Sequence, residues 1–289
     1  MVECRITSHD PPIPTVARRF DARRVYTVLV LAPLLYGAIR YFPPFAFTGL
    51  VLAVGSIALL EFYRLGLVPP GERPYVGAGL LGFAALLFAP HHGEFLVPTL
   101  LAAVIGILSL PLILRSPLDH VLRNSAATLL GILYLGVTLS FVVRTRLLEH
   151  GEWLVFFLLL VTWAGDTGAY YAGTVWGRHR LAPRISPKKS VEGLVGGLLA
   201  AVMAAYLARW WFLPALSMID CAVLAVLLTA AGLWGDLAES AMKRSVGAKD
   251  SGGVLPGHGG MLDRLDSLLF AAPTFFYYVT LMTRSETLA

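Results

Sequence analysis

The chain has 289 residues, 57% of them hydrophobic and only 14% charged, with a formal net charge of +5 and a mean hydropathy of +0.71. Soluble domains carry about 25% charged residues, so a soluble fold is excluded for want of polar surface. The small positive charge, with no Arg-rich run interleaved with aromatics, argues against nucleic acid as a partner and fits Lys/Arg bias in the cytoplasmic loops of a membrane protein.

Residues 1–24 hold five arginines and no apolar stretch, which is not the form of a cleavable signal. They read as a cytoplasmic arm. Apolar runs follow at 25–42, 45–63, 75–90, 95–114, 125–143, 153–174, 191–213, 218–235 and 268–283. Most are long enough to cross about 30 Å of hydrocarbon as a helix. The expectation is therefore an all-α, polytopic integral membrane protein of about nine transmembrane helices. Residues 25–150 form its N-terminal helices and 151–289 its C-terminal, polar-bearing region. Arg18, Arg19, Arg23 and Arg24 precede the first run, and an acid-free loop carries Arg178, Arg180, Arg184, Lys188 and Lys189. Both point inward, against one outward pair, Arg144 and Arg146. Cys4 and Cys221 have no partner at zinc-ligand or disulfide spacing.

Chemistry starts at Asp166, which follows the apolar stretch 153–165. An ionisable residue in such a place is functional by default. Downstream, Lys188 and Lys189 stand just before the seventh run, able to bind phosphate or simply to anchor the loop. At the end of the eighth run Asp236, Glu239, Ser240 and Lys243 fall at i, i+3, i+4 and i+7, one face of a helix. An ordinary helix end with a Glu239–Lys243 pair would look the same. Residues 251–260 then hold five glycines and a proline, which rules out a helix interior and lets backbone N–H groups approach phosphate oxygens. Within this stretch His258 is flanked by glycines, and Lys249 and Asp250 precede it. Asp263, Arg264 and Asp266 follow it and open the last run. Mg²⁺ is typically held by one or two carboxylates plus phosphates and water. Asp236 and Asp263, on antiparallel neighbouring spans, suit that role.

Ser240, Lys243-Arg244, Lys249-Asp250, Gly252, Pro256-Gly257-His258-Gly259-Gly260 and Asp263-Arg264-x-Asp266 together resemble the signature of the phosphatidate cytidylyltransferase (CDP-diacylglycerol synthase) family. Asp166-x-x-Ala169-Tyr170 and Ser186-Pro187-Lys188-Lys189-x-x-Glu192-Gly193 resemble its upstream elements, with Ser190 where the family often has Thr. The resemblance covers about a hundred residues, 166–266. It implies an inner-membrane enzyme with its active site facing the cytoplasm, using CTP, phosphatidate and Mg²⁺, with K⁺ able to share the metal site. A homodimer is compatible with it.

The expected reaction is attack of a phosphatidate oxygen on the α-phosphorus of CTP. Asp236 and Asp263 would hold the metal. Lys243, Arg244, Lys249 and Arg264 would clamp phosphates, with Lys188, Lys189, Ser240, Gly259 and Gly260 contributing to substrate binding. His258 would position phosphate or the glycine-rich loop, and Asp166, Glu239, Asp250 and Asp266 would support the site. Two rival readings are a CTP-dependent lipid kinase, which transfers the γ-phosphate, and a transporter, which needs coupling charges near mid-membrane. A CDP-alcohol phosphotransferase would require an Asp-Gly-x-x-Ala-Arg motif that the chain lacks.

Overall fold

The structure, a computed structural model, describes residues 33–65, 74–92, 96–252 and 260–287. The arm 1–24, His258 and Gly259 lie outside the described residues. Helices dominate: α1 (residues 33–41), α2 (Pro44–Arg64), α3 (Val76–Phe88), α4 (Leu96–Leu114), α5 (Leu118–Gly131), α6 (Thr138–Arg146), α7 (Gly151–Trp176), α8 (Val191–Trp211), α9 (Met218–Ser245) and α10 (Leu262–Thr287). A π-helical segment, Ile132–Val137, joins α5 to α6 in one continuous rod.

Seven of these elements are long and apolar enough to cross a bilayer: α2, α4, the α5–α6 rod, α7, α8, α9 and α10 as far as Met282. The protein is thus a multi-pass, helical membrane protein. Two of the nine expected spans account for the difference. The run 25–42 is described only from residue 33, and the run 75–90 folds as the 13-residue α3 plus a 3-10 turn, Ala89–His92. α3 and its 3-10 turn nevertheless pack beside α2 and are held at both ends. At one end Tyr63 Oη donates to the Thr128 carbonyl (2.9 Å) and the Tyr75 amide donates to Thr128 Oγ1 (2.8 Å). At the other, His91 Nε2 lies 2.8 Å from Thr48 Oγ1.

Helix ends follow local chemistry. Pro44 opens α2 at the position where a missing N–H costs nothing. Ser217 and Asp220 close a reciprocal capping box at the start of α9, with bonds of 3.0 and 2.9 Å. Tyr278 Oη donates to the other Asp220 oxygen at 2.8 Å, which fastens α10 to that same end. α10 is central and packs on α9, α6, α2 and α7. The core between them is built from Leu59, Phe62, Leu135, Phe157, Leu158, Leu228 and Phe275.

Lipid gives helices no hydrophobic reason to associate, so close backbone packing must do it. α7 and α8 meet along small residues: Gly165, Gly168, Ala169, Ala172 and Gly173 face Gly193, Gly196, Gly197 and Ala200. A Cβ on Gly197 would stand 2.9 Å from the Gly165 carbonyl oxygen. At the α6–α7 turn Glu152 pairs with Arg40 (3.5 Å) and Arg146 (3.6 Å), and Arg146 also donates to the Phe42 carbonyl. Arg144 lies over the Phe141 and Phe276 rings. The two arginines that broke the orientation pattern are therefore held by protein contacts.

One segment departs from the all-helical expectation. Between α7 and α8 the basic loop forms an antiparallel hairpin of β1 (Arg180–Ala182) and β2 (Ser186–Ser190). Its base is tied to α8 by Glu192, whose carboxylate accepts from the Arg178 amide (3.0 Å) and the His179 amide (3.2 Å) and lies 2.5 Å from His179 Nδ1. Ser190 is the helix cap: its Oγ accepts from the Gly193 amide at 3.1 Å. That hydroxyl role explains how Ser replaces Thr here.

Candidate active site

A cavity of about 640 Å³ opens between α7 and α8 on one side and α9 and α10 on the other, roofed by the hairpin. That size suits a nucleotide or a lipid headgroup. Four carboxylates line it: Asp166 from α7, Asp236 from α9, and Asp263 and Asp266 from α10. Four bases answer them: Arg180, Lys188 and Lys189 from the hairpin, and Arg264. Gly165, Gly173, Gly193 and Gly232 leave the space. Further from the hairpin the lining includes Val161 and Leu228, with Thr162 and Thr229 beside them. Leu228 precedes Asp236 by eight residues, or about 12 Å along a helix. The cavity is charged beneath the hairpin and apolar further along α7 and α9, the polarity of a phospholipid.

Close helix contact sets these side chains. A Cβ on Gly235 would collide with the Asp266 carbonyl oxygen, so α9 and α10 touch where Asp236 and Asp266 project. Asp236 Oδ2 pairs with Lys189 Nζ at 2.7 Å, while its Oδ1 accepts from Ser240 Oγ at 3.2 Å. The hairpin is thus joined to α9 across the cavity. Asp263 is the most connected acid. Its Oδ1 pairs with Lys243, and its Oδ2 accepts from the Gly260 amide (2.9 Å), Ser251 Oγ (3.0 Å) and the Ser251 amide (3.2 Å). Ser267 Oγ donates to Asp166 at 3.3 Å, and the Ser267 amide donates to Asp266 at 2.7 Å.

A family model described as the cytidylyltransferase family matches residues 22–282. The chain belongs to the cytidylyltransferase family. Proteins named phosphatidate cytidylyltransferase are similar to it along nearly their whole length. That of Bacillus subtilis is 32% identical over 260 residues, covering 88% of this chain and 96% of the relative. That of Haemophilus influenzae is 32% identical over 283 residues, covering 89% and 97%. That of Synechocystis is 33% identical over 267 residues, covering 82% and 89%.

In this cytidylyltransferase the signature residues do not all reach the cavity. Lys243 is buried and bridges Glu239, at 3.1 Å, and Asp263. Breaking such a buried pair by removing one partner is costly, so Lys243 acts on Asp263 rather than from open solvent. Glu239 is fully buried beside it. Arg244 is exposed and donates to the Ala248 carbonyl at 2.9 Å, and Lys249 and Asp250 are exposed on the loop. None of these five lines the cavity, whereas Asp166, Lys188, Lys189, Asp236, Asp263, Arg264 and Asp266 do. Ser240 and Gly260 touch the site through their bonds to Asp236 and Asp263.

Among the described residues, no three His, Cys, Asp or Glu side chains form a ready-made metal cage. Two carboxylates on facing helices at the rim of a phosphate-sized, basic-lined cavity are instead the donor set that Mg²⁺ takes when substrate phosphates and water complete its shell. Both carboxylates line the one cavity, where Asp236 takes Lys189 and Ser240 and Asp263 takes Lys243, Ser251 and Gly260. Sequence reasoning missed Glu61. It is 2% exposed on α2, and its Oε2 accepts from the Leu262 amide at 2.9 Å and from Ser251 Oγ at 3.4 Å. The signal was there: one carboxylate inside an otherwise apolar run, the same mark that singled out Asp166.

Proposed function

We propose that this protein is a phosphatidate cytidylyltransferase, which transfers the cytidylyl group of CTP to phosphatidate to give CDP-diacylglycerol and pyrophosphate. The observation that carries the reading is one cavity lined by four acids and four bases and, further from the hairpin, by apolar side chains. One end of that surface fits a triphosphate and the other fits a lipid.

A phosphatidate oxygen forms a bond to the α-phosphorus of CTP as the bond from that phosphorus to the α–β bridging oxygen breaks. The electron pair leaves with pyrophosphate. Arg180, Lys188, Lys189 and Arg264 hold the phosphates in line, because positioning and charge neutralisation account for most phosphoryl-transfer catalysis. Asp236 and Asp263 would hold Mg²⁺, which supplies charge neutralisation on the attacking and leaving oxygens. Lys243 keeps the Asp263 carboxylate aimed, as Ser240 does for Asp236. Asp166 and Asp266 shape the negative wall opposite the bases. No proton transfer is required, since the phosphate nucleophile is already anionic. Acyl chains rest along the Val161–Leu228 side of the cavity.

The site faces the cytoplasm across an inner membrane, with nine spans if α3 and the run containing α1 both cross. What supports this side is the distribution of bases: Arg115, Arg123, Arg178, Arg180, Arg184, Lys188, Lys189, Lys243, Arg244, Lys249 and Arg264 lie on or next to helix ends at the cavity's level. Arg40, Arg144, Arg146 and Arg209 lie at the other.

Purified protein with phosphatidate, Mg²⁺ and CTP labelled at either the α- or the γ-phosphate tests the reaction. The expected result is α-label in the lipid and γ-label in the released pyrophosphate. γ-Label in the lipid would establish a lipid kinase and overturn the proposal.

A further inference from the structure

Glu61 has no place in the reaction as described, yet it is among the most constrained side chains in the protein. It directly precedes the buried Phe62 and Tyr63 on α2, far in sequence from the acids of the cavity. A carboxylate in such surroundings is costly unless its oxygens are used. Oε2 is used twice, by the Leu262 amide at 2.9 Å and by Ser251 Oγ at 3.4 Å. Leu262 is the first residue of α10, whose leading N–H groups have no partner within the helix. A negative charge there also meets the positive end of the helix dipole. Among the described residues, Oε1 is buried and has no hydrogen-bond partner.

The glycines beside it are shaped to the same carboxylate. A Cβ on Gly252 would stand 2.8 Å from Glu61 Oε1, and one on Gly260 would stand 2.6 Å from Glu61 Oε2. Gly252 and Gly260 also lie against each other here: a Cβ on Gly260 would stand 3.0 Å from the Gly252 amide nitrogen. Ser251 donates from its hydroxyl both to Glu61 and to Asp263 Oδ2, and the Gly260 amide donates to Asp263 as well. Glu61 and Asp263 therefore share Ser251, and each takes one further backbone amide, Leu262 for Glu61 and Gly260 for Asp263.

We propose that Glu61 is a positioning residue of the transferase site: it ties Ser251 to the Leu262 amide at the start of α10, and so fixes the Asp263 carboxylate. The N-terminal helices thereby contribute directly to catalysis through α2. This rests on the reading of Asp263 as part of the transferase site.

The test compares full-length Glu61→Leu and Glu61→Gln with wild type in the same detergent or nanodisc. Leucine keeps the volume and is at home in an apolar helix, so the variant stays folded. Glutamine keeps one oxygen able to accept from the Leu262 amide. Hydrogen exchange is measured along the chain, together with kcat and KM for CTP and phosphatidate. In Glu61→Leu, exchange should rise in 248–266 and stay unchanged in α7 and α8. Its kcat should fall at least about tenfold, the usual scale for a group that orients a metal-binding side chain, with KM for phosphatidate little changed. Glu61→Gln should recover much of that loss. Unchanged exchange in 248–266 overturns the tie, whatever the turnover. Raised exchange with undiminished kcat overturns the positioning role. Should wild type make no CDP-diacylglycerol, the functional reading fails by itself, and exchange alone decides whether Glu61 ties Ser251 to Leu262.

Discussion

Asp263→Asn is expected to cut CDP-diacylglycerol formation by at least about a hundredfold while the protein remains folded. The carboxylate combines two roles that an amide cannot fill at once. It presents Oδ1 to Lys243 as a full negative charge, and it accepts three hydrogen bonds at Oδ2. An asparagine oxygen can keep the Gly260 and Ser251 bonds, so the loop stems persist. Its NH₂ group, however, must then face the Lys243 ammonium, donor against donor. The loss of metal-directed charge is worth several kcal/mol in a transition state, and 1.36 kcal/mol is a factor of ten. Turnover of purified variant and wild type across a Mg²⁺ titration checks this. Wild-type turnover in the variant would remove Asp263 from the site.

The second large effect needs no change in charge. Gly235→Ala adds one methyl group where α9 touches the Asp266 carbonyl oxygen. Backbone cannot rotate away as a side chain can, so the helices must part or slide. Overpacking of this kind costs roughly 1–3 kcal/mol of stability, which a bundle this size tolerates. A displacement of about 1 Å between reacting groups can cost about a hundredfold in rate. Asp236 follows Gly235 directly and Asp266 sits opposite, so the displacement falls on the two carboxylates themselves. The expected variant is monodisperse, slightly less thermostable, and about a hundredfold slower. Activity within threefold of wild type would show that helix spacing at this level does not set the site.

The acids of the cavity were legible in the sequence because charge stands out against apolar runs, and Asp166, Asp236, Asp263 and Asp266 all do so. Spacing alone placed Asp236 and Ser240 on one face, and the structure bonds them to each other. The same periodicity placed Glu239 and Lys243 beside them. It could not say that this pair turns towards α10 and is buried, because that depends on which neighbour fills the other side. Glu61 was passed over for the opposite reason. A long apolar run reads as a span, and its one carboxylate has partners about 190 residues away that no local pattern reveals. The hairpin was hidden because its basic residues also satisfy the orientation rule, and both readings use the same lysines. α3 was read as a span from composition, yet its helix is short, and its extent is fixed by contacts to Thr48 and Thr128 rather than by its own length. The π-helical segment at Ile132–Val137 left no mark in a single sequence, since apolar residues suit i→i+5 and i→i+4 pairing equally.

The central claim is that carboxylates on two facing helices serve one divalent cation. Binding of Mn²⁺, followed by its electron paramagnetic resonance signal in purified wild type, Asp236→Asn, Asp263→Asn and the double variant, addresses it without recourse to turnover. Ligands of a shared ion act as a unit, so each single substitution should weaken binding at least about tenfold and the double should be little worse than the weaker single. Wild-type affinity in either single variant, or losses that simply add, would contradict a shared site.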